Sequence, residues 1–393
     1  MTKQDFSRGR ALGATALAAL VTATVLVAQA IAKAPAQPAG QSHVTASAPP
    51  RIEVAFVLDT TGSMAGLIEG AKHKVWSIAN QMASARQQTD VRLALIGYRD
   101  RGDAYVTRRF DLSSDVDALY AELQQYRAEG GGDTPESVNQ ALHEAVTALG
   151  WSTESNVYRV IFLVGDAPPH LDYQDDVEFE DSLRLARQKG IAVNTIQCGA
   201  LAETTPIWRR IATLGGGDYA AIAQDGGMLA LATPLDDEFA RLNRELADTA
   251  LGYGDARAHA ELAMKVDNAR AAPAAAAADR LAYLGRAGGA LVSGAKDLVD
   301  AVKGGLTLES VPVEELPVQM REMSAPERQA FVETKQGERA QLQARIGSLA
   351  KQRDGWLAKE ESRLRDAGRA DGFDQKVFDA IKRQAAAQGI DYE

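Results

Sequence analysis

Through residue 250 the apolar positions follow two alternating periods. Short β-branched runs at strand spacing give way to longer stretches in which Leu, Ile, Val and Ala recur every three or four residues. The first apolar run, 54–58, leads directly into Leu67, Ile68, Val75 and Ile78 at helical spacing. Continued in this way, the pattern predicts strands at 53–58, 91–97, 104–110, 158–164, 191–197 and 217–221. It predicts helices near 64–85, 116–127, 135–149, 177–188, 205–213 and 228–250. Strand and helix alternate as an α/β fold with a doubly wound, mostly parallel sheet flanked by helices requires, and the expected domain occupies 51–250.

Beyond residue 250 the character changes. Residues 251–323 read as a connecting mixed or helical region, with an Ala-rich stretch at 271–278 acting as a spacer or weak helix and a helix expected at 291–302. Residues 289–296 superficially resemble a phosphate-binding loop, but lysine does not directly follow the second glycine and no Ser or Thr comes next. Residues 324–393 read as a charged helical C-terminal region. Ser324-Ala325-Pro326-Glu327 has the form of a capping box with proline in the first turn. Phe331, Leu342, Ile346, Leu349, Trp356 and Leu357 then recur at helical spacing; Gly368 and Gly372 break the run, and a last helix carries Val377, Phe378 and Ile381. Such a stripe either packs back on the main domain or binds a partner helix, and apolar stripes are more often core.

Composition adds compartment and exclusions. Lys3, Arg8 and Arg10 precede an uncharged Ala/Leu/Val-rich run, so 1–32 has the pattern of an export signal, either cleaved after the small residues at 28–32 or retained as a bilayer-spanning anchor. Residues 33–50, rich in Ala, Pro, Ser and Gln, read as a disordered tether. The expected location is therefore periplasmic, cell-surface or secreted, with the membrane met only through that N-terminal segment. A formal charge of −10 without a Lys/Arg-rich block argues against nucleic-acid binding. Cys198 is the only cysteine of the 393 residues, so no intramolecular disulfide can form, and a buried, inert thiol is the expectation.

The candidate chemistry lies at strand ends. Asp59, Thr61 and Ser63 place three oxygen side chains at alternate positions where the first strand becomes a helix, and Gly62 relieves the turn. Carboxylate and hydroxyl oxygens suit a hard divalent ion such as Mg2+. A second segment, Gly130-Gly131-Gly132-Asp133-Thr134-Pro135-Glu136, combines backbone freedom, a helix start and the Thr134 hydroxyl. A third, the apolar run 160–164 followed by Gly165-Asp166-Ala167-Pro168-Pro169-His170, brings the Asp166 carboxylate to the same sheet edge. Ligands of open α/β sheets bind at that carboxyl edge.

On these three loops the chain resembles von Willebrand factor type A domains with a metal-ion-dependent adhesion site. The resemblance implies Asp59, Thr61, Ser63, Thr134 and Asp166 as ligands, with Thr61 standing where the family usually has serine. The wording of 97–100, 131–136 and 165–168 is similar to an exported bacterial branch. The resemblance further implies Mg2+, with Mn2+ or Ca2+ as substitutes, and a protein partner whose Asp or Glu completes the coordination, in adhesion or envelope-complex assembly. A structural role through the C-terminal helices and, less strongly, metal-dependent hydrolysis are the alternatives.

An enzyme is not expected. Asp59 before Thr and Ser resembles the nucleophile motif of haloacid-dehalogenase-like proteins, but position 61 is threonine where that motif needs a second carboxylate. Ser63 lacks a nucleophile-elbow pattern, and the five histidines show no zinc-protease spacing, His170 reading as a polar loop residue. Arg101-Gly102-Asp103 matches an integrin-ligand tripeptide, which is common by chance; Asp100 and Asp103 read as turn caps or as carboxylates that orient the waters of a nearby metal.

Overall fold

The computed structural model describes residues 49–228, 231–294, 296–367 and 372–392. The expected export segment 1–32 and the tether up to residue 48 lie outside them, as do residues 229 and 230 of the expected helix 228–250, and Gly368. Side chains of β1 (Arg51–Asp59) alternate between the two faces of a sheet: Ile52, Val54, Phe56 and Leu58 enter one core, Ala55 and Val57 the other. The sheet also contains β2 (Asp90–Tyr98), β3 (Thr107–Ser113), β4 (Val157–Gly165), β5 (Ile191–Cys198) and β6 (Gly216–Ile222), in the order β3-β2-β1-β4-β5-β6. Only β3 runs antiparallel. β1 and β4 lie at the centre and are buried on both faces, hence their unbroken apolar runs.

Helices cover both faces. One carries α1 (Ala65–Met82) and α2 (Val116–Gln125); the other carries α3 (Val138–Thr147), α4 (Phe179–Gln188) and α5 (Thr204–Gly215). α6 (Asp236–Ala247), α7 (Ala256–Ala271), α8 (Ala274–Arg286), α9 (Leu298–Lys303), α10 (Ala325–Asp366) and α11 (Phe373–Ala385) complete the described helices. Among the described residues no helix is long and apolar enough to cross a membrane.

Several expected element bounds differ from the structure; the helix expected at 228–250 spans only Asp236–Ala247 among the described residues. Of the spacer and the weak helix expected at 271–278, the structure has helix from Ala274: Ala276, Ala277 and Ala278 are buried at the start of α8, where small side chains let it pack against both α1 and α6. The helix expected at 291–302 begins only at Leu298, where Asp297 accepts from the Asp300 amide as its cap. The third strand starts at Thr107 rather than 104, because residues 99–103 form a loop closed by the Asp103 carboxylate on the Asp100 amide. The capping box before α10 is present, with Glu327 accepting from both the amide and hydroxyl of Ser324 at 2.7 and 2.6 Å.

The tail packs on the sheet domain. α11 lays Phe373, Val377, Ala380 and Ile381 on the same core as β1, with the Phe373 ring 6.0 Å from Phe56. The Tyr392 hydroxyl donates to the Met82 carbonyl at the end of α1 (3.0 Å). Buried ion pairs anchor α8 and α10: Arg280 to Asp117 (2.8 Å), Arg339 to Asp297 (2.7 Å), and Arg353 to Asp236 and Asp279 (2.9 and 2.6 Å). Such pairs fix geometry more than they add net stability, but losing one partner leaves a buried charge unmatched.

Candidate metal centre

Parallel register brings the first and third predicted loops together. Leu58 pairs with Val164 on the neighbouring strand, so Asp59 and Asp166 leave adjacent strands at one edge. Asp59 is wholly buried. Its Oδ1 accepts from the Thr61 amide (2.8 Å) and the Thr61 hydroxyl (2.7 Å), while its Oδ2 is buried without a hydrogen-bond partner. The Thr61 hydroxyl lies 3.3 Å from that of Ser63, which is exposed. Asp166 is half-buried and held by Gln224, whose Nε2 donates to Asp166 Oδ2 (2.7 Å) and to the Ser63 carbonyl (3.2 Å). Gln224 thus ties the first and third loops together.

The glycine loop closes the third side. The Gly62 amide donates to the Gly130 carbonyl (3.2 Å), and Gly130 and Gly131 take positive φ of 81° and 79°, which favours glycine. A Cβ on Gly131 would stand 3.1 Å from that of Thr61. At its far end the loop is fastened by the Glu136 amide on the Pro168 carbonyl (3.0 Å). Thr134 sits exposed between these two anchor points. Asp103 supports the loop by accepting from the Gly131 amide (3.1 Å), and Arg101 is engaged with Asp175 and Asp176, so Arg101-Gly102-Asp103 serves the fold of this edge.

The electrostatics are those of an acidic hollow. Burial, above all, pushes the Asp59 carboxyl up to about 7; the Thr61 hydrogen bonds oppose this and the nearby Asp166 charge adds to it. Burial followed by the charges of Asp59, Asp100, Asp103 and Asp166 pushes Glu136 up to about 9. Glu136 is buried, with its Oε2 unpartnered, and sequence reading gave it no role. Gln224 was likewise missed, because nothing near it in the chain marks it as a partner of Asp166. A buried, unpartnered carboxylate oxygen beside a second carboxylate and two hydroxyls fits a hard divalent cation, which would neutralise the pair and satisfy that oxygen. Cys198, close enough for both carboxylates to raise its thiol further after burial has done so, is fully buried and free.

A family model described as a von Willebrand factor A domain matches residues 53–234. Von Willebrand factor A domain-containing protein 7 of Homo sapiens is 34% identical over 97 residues, 25% of this chain and 10% of that protein. Hemicentin-2 of Mus musculus is 30% identical over 150 residues, 37% of this chain and 3% of hemicentin-2. The chain spans between 3% and 11% of the length of the first relatives it matches. Among solved structures, proximal thread matrix protein 1 from the mussel byssus, with a zinc-occupied MIDAS motif, is similar at 16% identity and a TM-score of 0.36, covering 45% of this chain and 43% of that one.

Proposed function

Because residues 53–234 are a von Willebrand factor A domain, we propose that the chain acts as a divalent-metal-dependent protein-binding module. Asp59, Thr61, Ser63, Thr134 and Asp166 would hold the ion. A bound ion of the magnesium class supplies a positive centre that accepts a further oxygen ligand. The single observation that carries the reading is the Asp59 carboxylate: wholly buried, one oxygen without a partner, and set beside Asp166. Two carboxylates and three hydroxyls are the oxygen-rich donor set that magnesium, manganese or calcium takes.

The partner is a protein that offers an Asp or Glu side chain. Ser63 and Thr134 are exposed while Asp59 is buried, so the open side of the site faces outward, where an incoming carboxylate would arrive. Two carboxylates leave a divalent ion attractive to a third anion, whereas the surrounding acidic residues repel acidic surfaces when no ion is bound. The ion is therefore the switch that turns a repulsive edge into a binding one. With the export pattern at 1–32, the setting is outside the cytoplasm.

The test immobilises the purified protein and passes an envelope extract over it in magnesium or in chelator, with Asp59→Ala beside the wild type. A partner retained only by wild type in magnesium supports the reading. Partners that bind equally under all conditions would move the function to the helical tail.

A further inference from the structure

A second constellation takes one residue from the glycine loop and shares no side chain with the ligand set above. Asp100, Asp133 and His170 each offer a ligand atom, and the three atoms lie within 4.8 Å of one another. His170 is not the polar loop residue its position in the chain suggests. It is buried, its ring stacks on Tyr173 at a centroid distance of 4.0 Å, and its amide and carbonyl are bonded to Glu136 and Asn139.

The two ring nitrogens have different surroundings. Nδ1 lies 2.8 Å from Asp172 Oδ1; when Nδ1 carries the proton it donates there and the lone pair belongs to Nε2. Nε2 is closed off from solvent, has no hydrogen-bond partner, and stands 3.3 Å from Asp100 Oδ2. Asp100 is itself buried and already accepts from the Ser137 hydroxyl (2.8 Å) and the Tyr173 hydroxyl (2.9 Å). In that tautomer a lone pair and a carboxylate oxygen face each other in a buried space, an arrangement that a cation between them relieves.

The spacing is informative. Two ligands of one tetrahedral zinc, at about 2.0–2.1 Å for nitrogen and about 2.0–2.2 Å for oxygen, are separated by roughly 3.3 Å. A carboxylate that receives the far N–H of a ligating imidazole is the usual support of a histidine–metal bond, and Asp172 occupies that position. Asp133 is exposed, so rotation of its side chain brings the third ligand in from the solvent side.

We propose that His170, Asp100 and Asp133 form a second metal site, for a zinc-class divalent ion, with Asp172 orienting the imidazole. One nitrogen and two carboxylate ligands suit borderline ions such as Zn2+ and Co2+ better than Mg2+. The competing account is a doubly protonated His170 that salt-bridges Asp100 and Asp172 and binds no ion.

The experiment titrates ZnCl2 into chelator-stripped protein by calorimetry, with Co2+ absorption as a second readout. The Asp59→Asn background removes the first site. There, one equivalent of zinc is expected to bind, and Co2+ to give the intense visible bands of a four-coordinate ion. Adding His170→Gln abolishes this equivalent, and Asp172→Asn weakens it about tenfold to a hundredfold. Asp133→Asn, at an exposed position where misfolding is not at issue, weakens it at least tenfold. Zinc binding unchanged by Asp133→Asn and by His170→Gln, or no zinc binding at all in Asp59→Asn, overturns the proposal. If wild type loses all zinc with His170→Gln yet keeps it with Asp59→Asn, zinc occupies this site alone, and the first site is tested separately by its magnesium dependence.

Discussion

Asp59→Asn isolates the electrostatic cost built into the first site. In the metal-free protein the Asp59 carboxyl is carried from its ordinary value of 3.8 up to about 7, chiefly by burial. Below pH 4 both folded and unfolded chains hold this proton and the group contributes nothing to the pH dependence. Between pH 4 and 7 the folded chain holds a proton that the unfolded chain has released, so stability falls as pH rises through that window. Above pH 7 the loss is complete and amounts to about 4 kcal/mol. Asparagine is neutral throughout. Its Oδ1 can still accept from the Thr61 amide and hydroxyl, and its Nδ2 replaces the unpartnered Oδ2 beside Asp166. The expected result in chelator is that Asp59→Asn matches wild type near pH 4 and exceeds it by up to about 4 kcal/mol at pH 8. Glu136 stays protonated over most of this range in wild type, and because the Asp59 charge helps to raise it, losing that charge eases Glu136 in the variant, a difference of the same sign. Magnesium at about a hundred times its dissociation constant should add about 2.7 kcal/mol to wild type and nothing to the variant. Urea unfolding followed by circular dichroism at pH 4, 6 and 8 measures all of this. A variant that is less stable than wild type at pH 8, or a difference independent of pH, refutes the reasoning.

Three further outcomes test other parts of the structure. Phe373→Ala should destabilise the protein by about 3–5 kcal/mol, since α11 completes the core over β1; a change below about 1 kcal/mol in urea would show that the tail is detachable. Arg280→Ala leaves Asp117 buried and unpaired and should lower stability by about 3–5 kcal/mol, whereas breaking a surface pair such as Arg363–Glu360 should leave it nearly unchanged. Cys198, fully buried and with its thiol pushed up by burial, should resist alkylation in the native protein and react at once in denaturant; mass spectrometry of native protein carrying the label would contradict its placement.

What the sequence determined by itself is local. Two residues per strand repeat and three to four per helix turn are properties of neighbouring positions, so the alternating α/β pattern and the edge carrying Asp59, Thr134 and Asp166 were legible before any coordinates. Element ends were less so: the start of the third strand depended on the Asp103 carboxylate, and the Ala-rich stretch at 271–278 read as either spacer or weak helix because alanine signals neither burial nor exposure until a neighbour approaches. The rest was decided by contacts between residues far apart in the chain. Gln224 reaches Asp166 across 58 positions, Arg280 reaches Asp117 across 163, and Tyr392 reaches Met82 across 310. Glu136 and His170 acquire their character in the same way, because burial and the placement of neighbouring carboxylates set it, and both arise only when the loops meet at the sheet edge. Spacing along the chain records which face a residue takes within its own element; which charge or ring it meets there depends on how the elements pack.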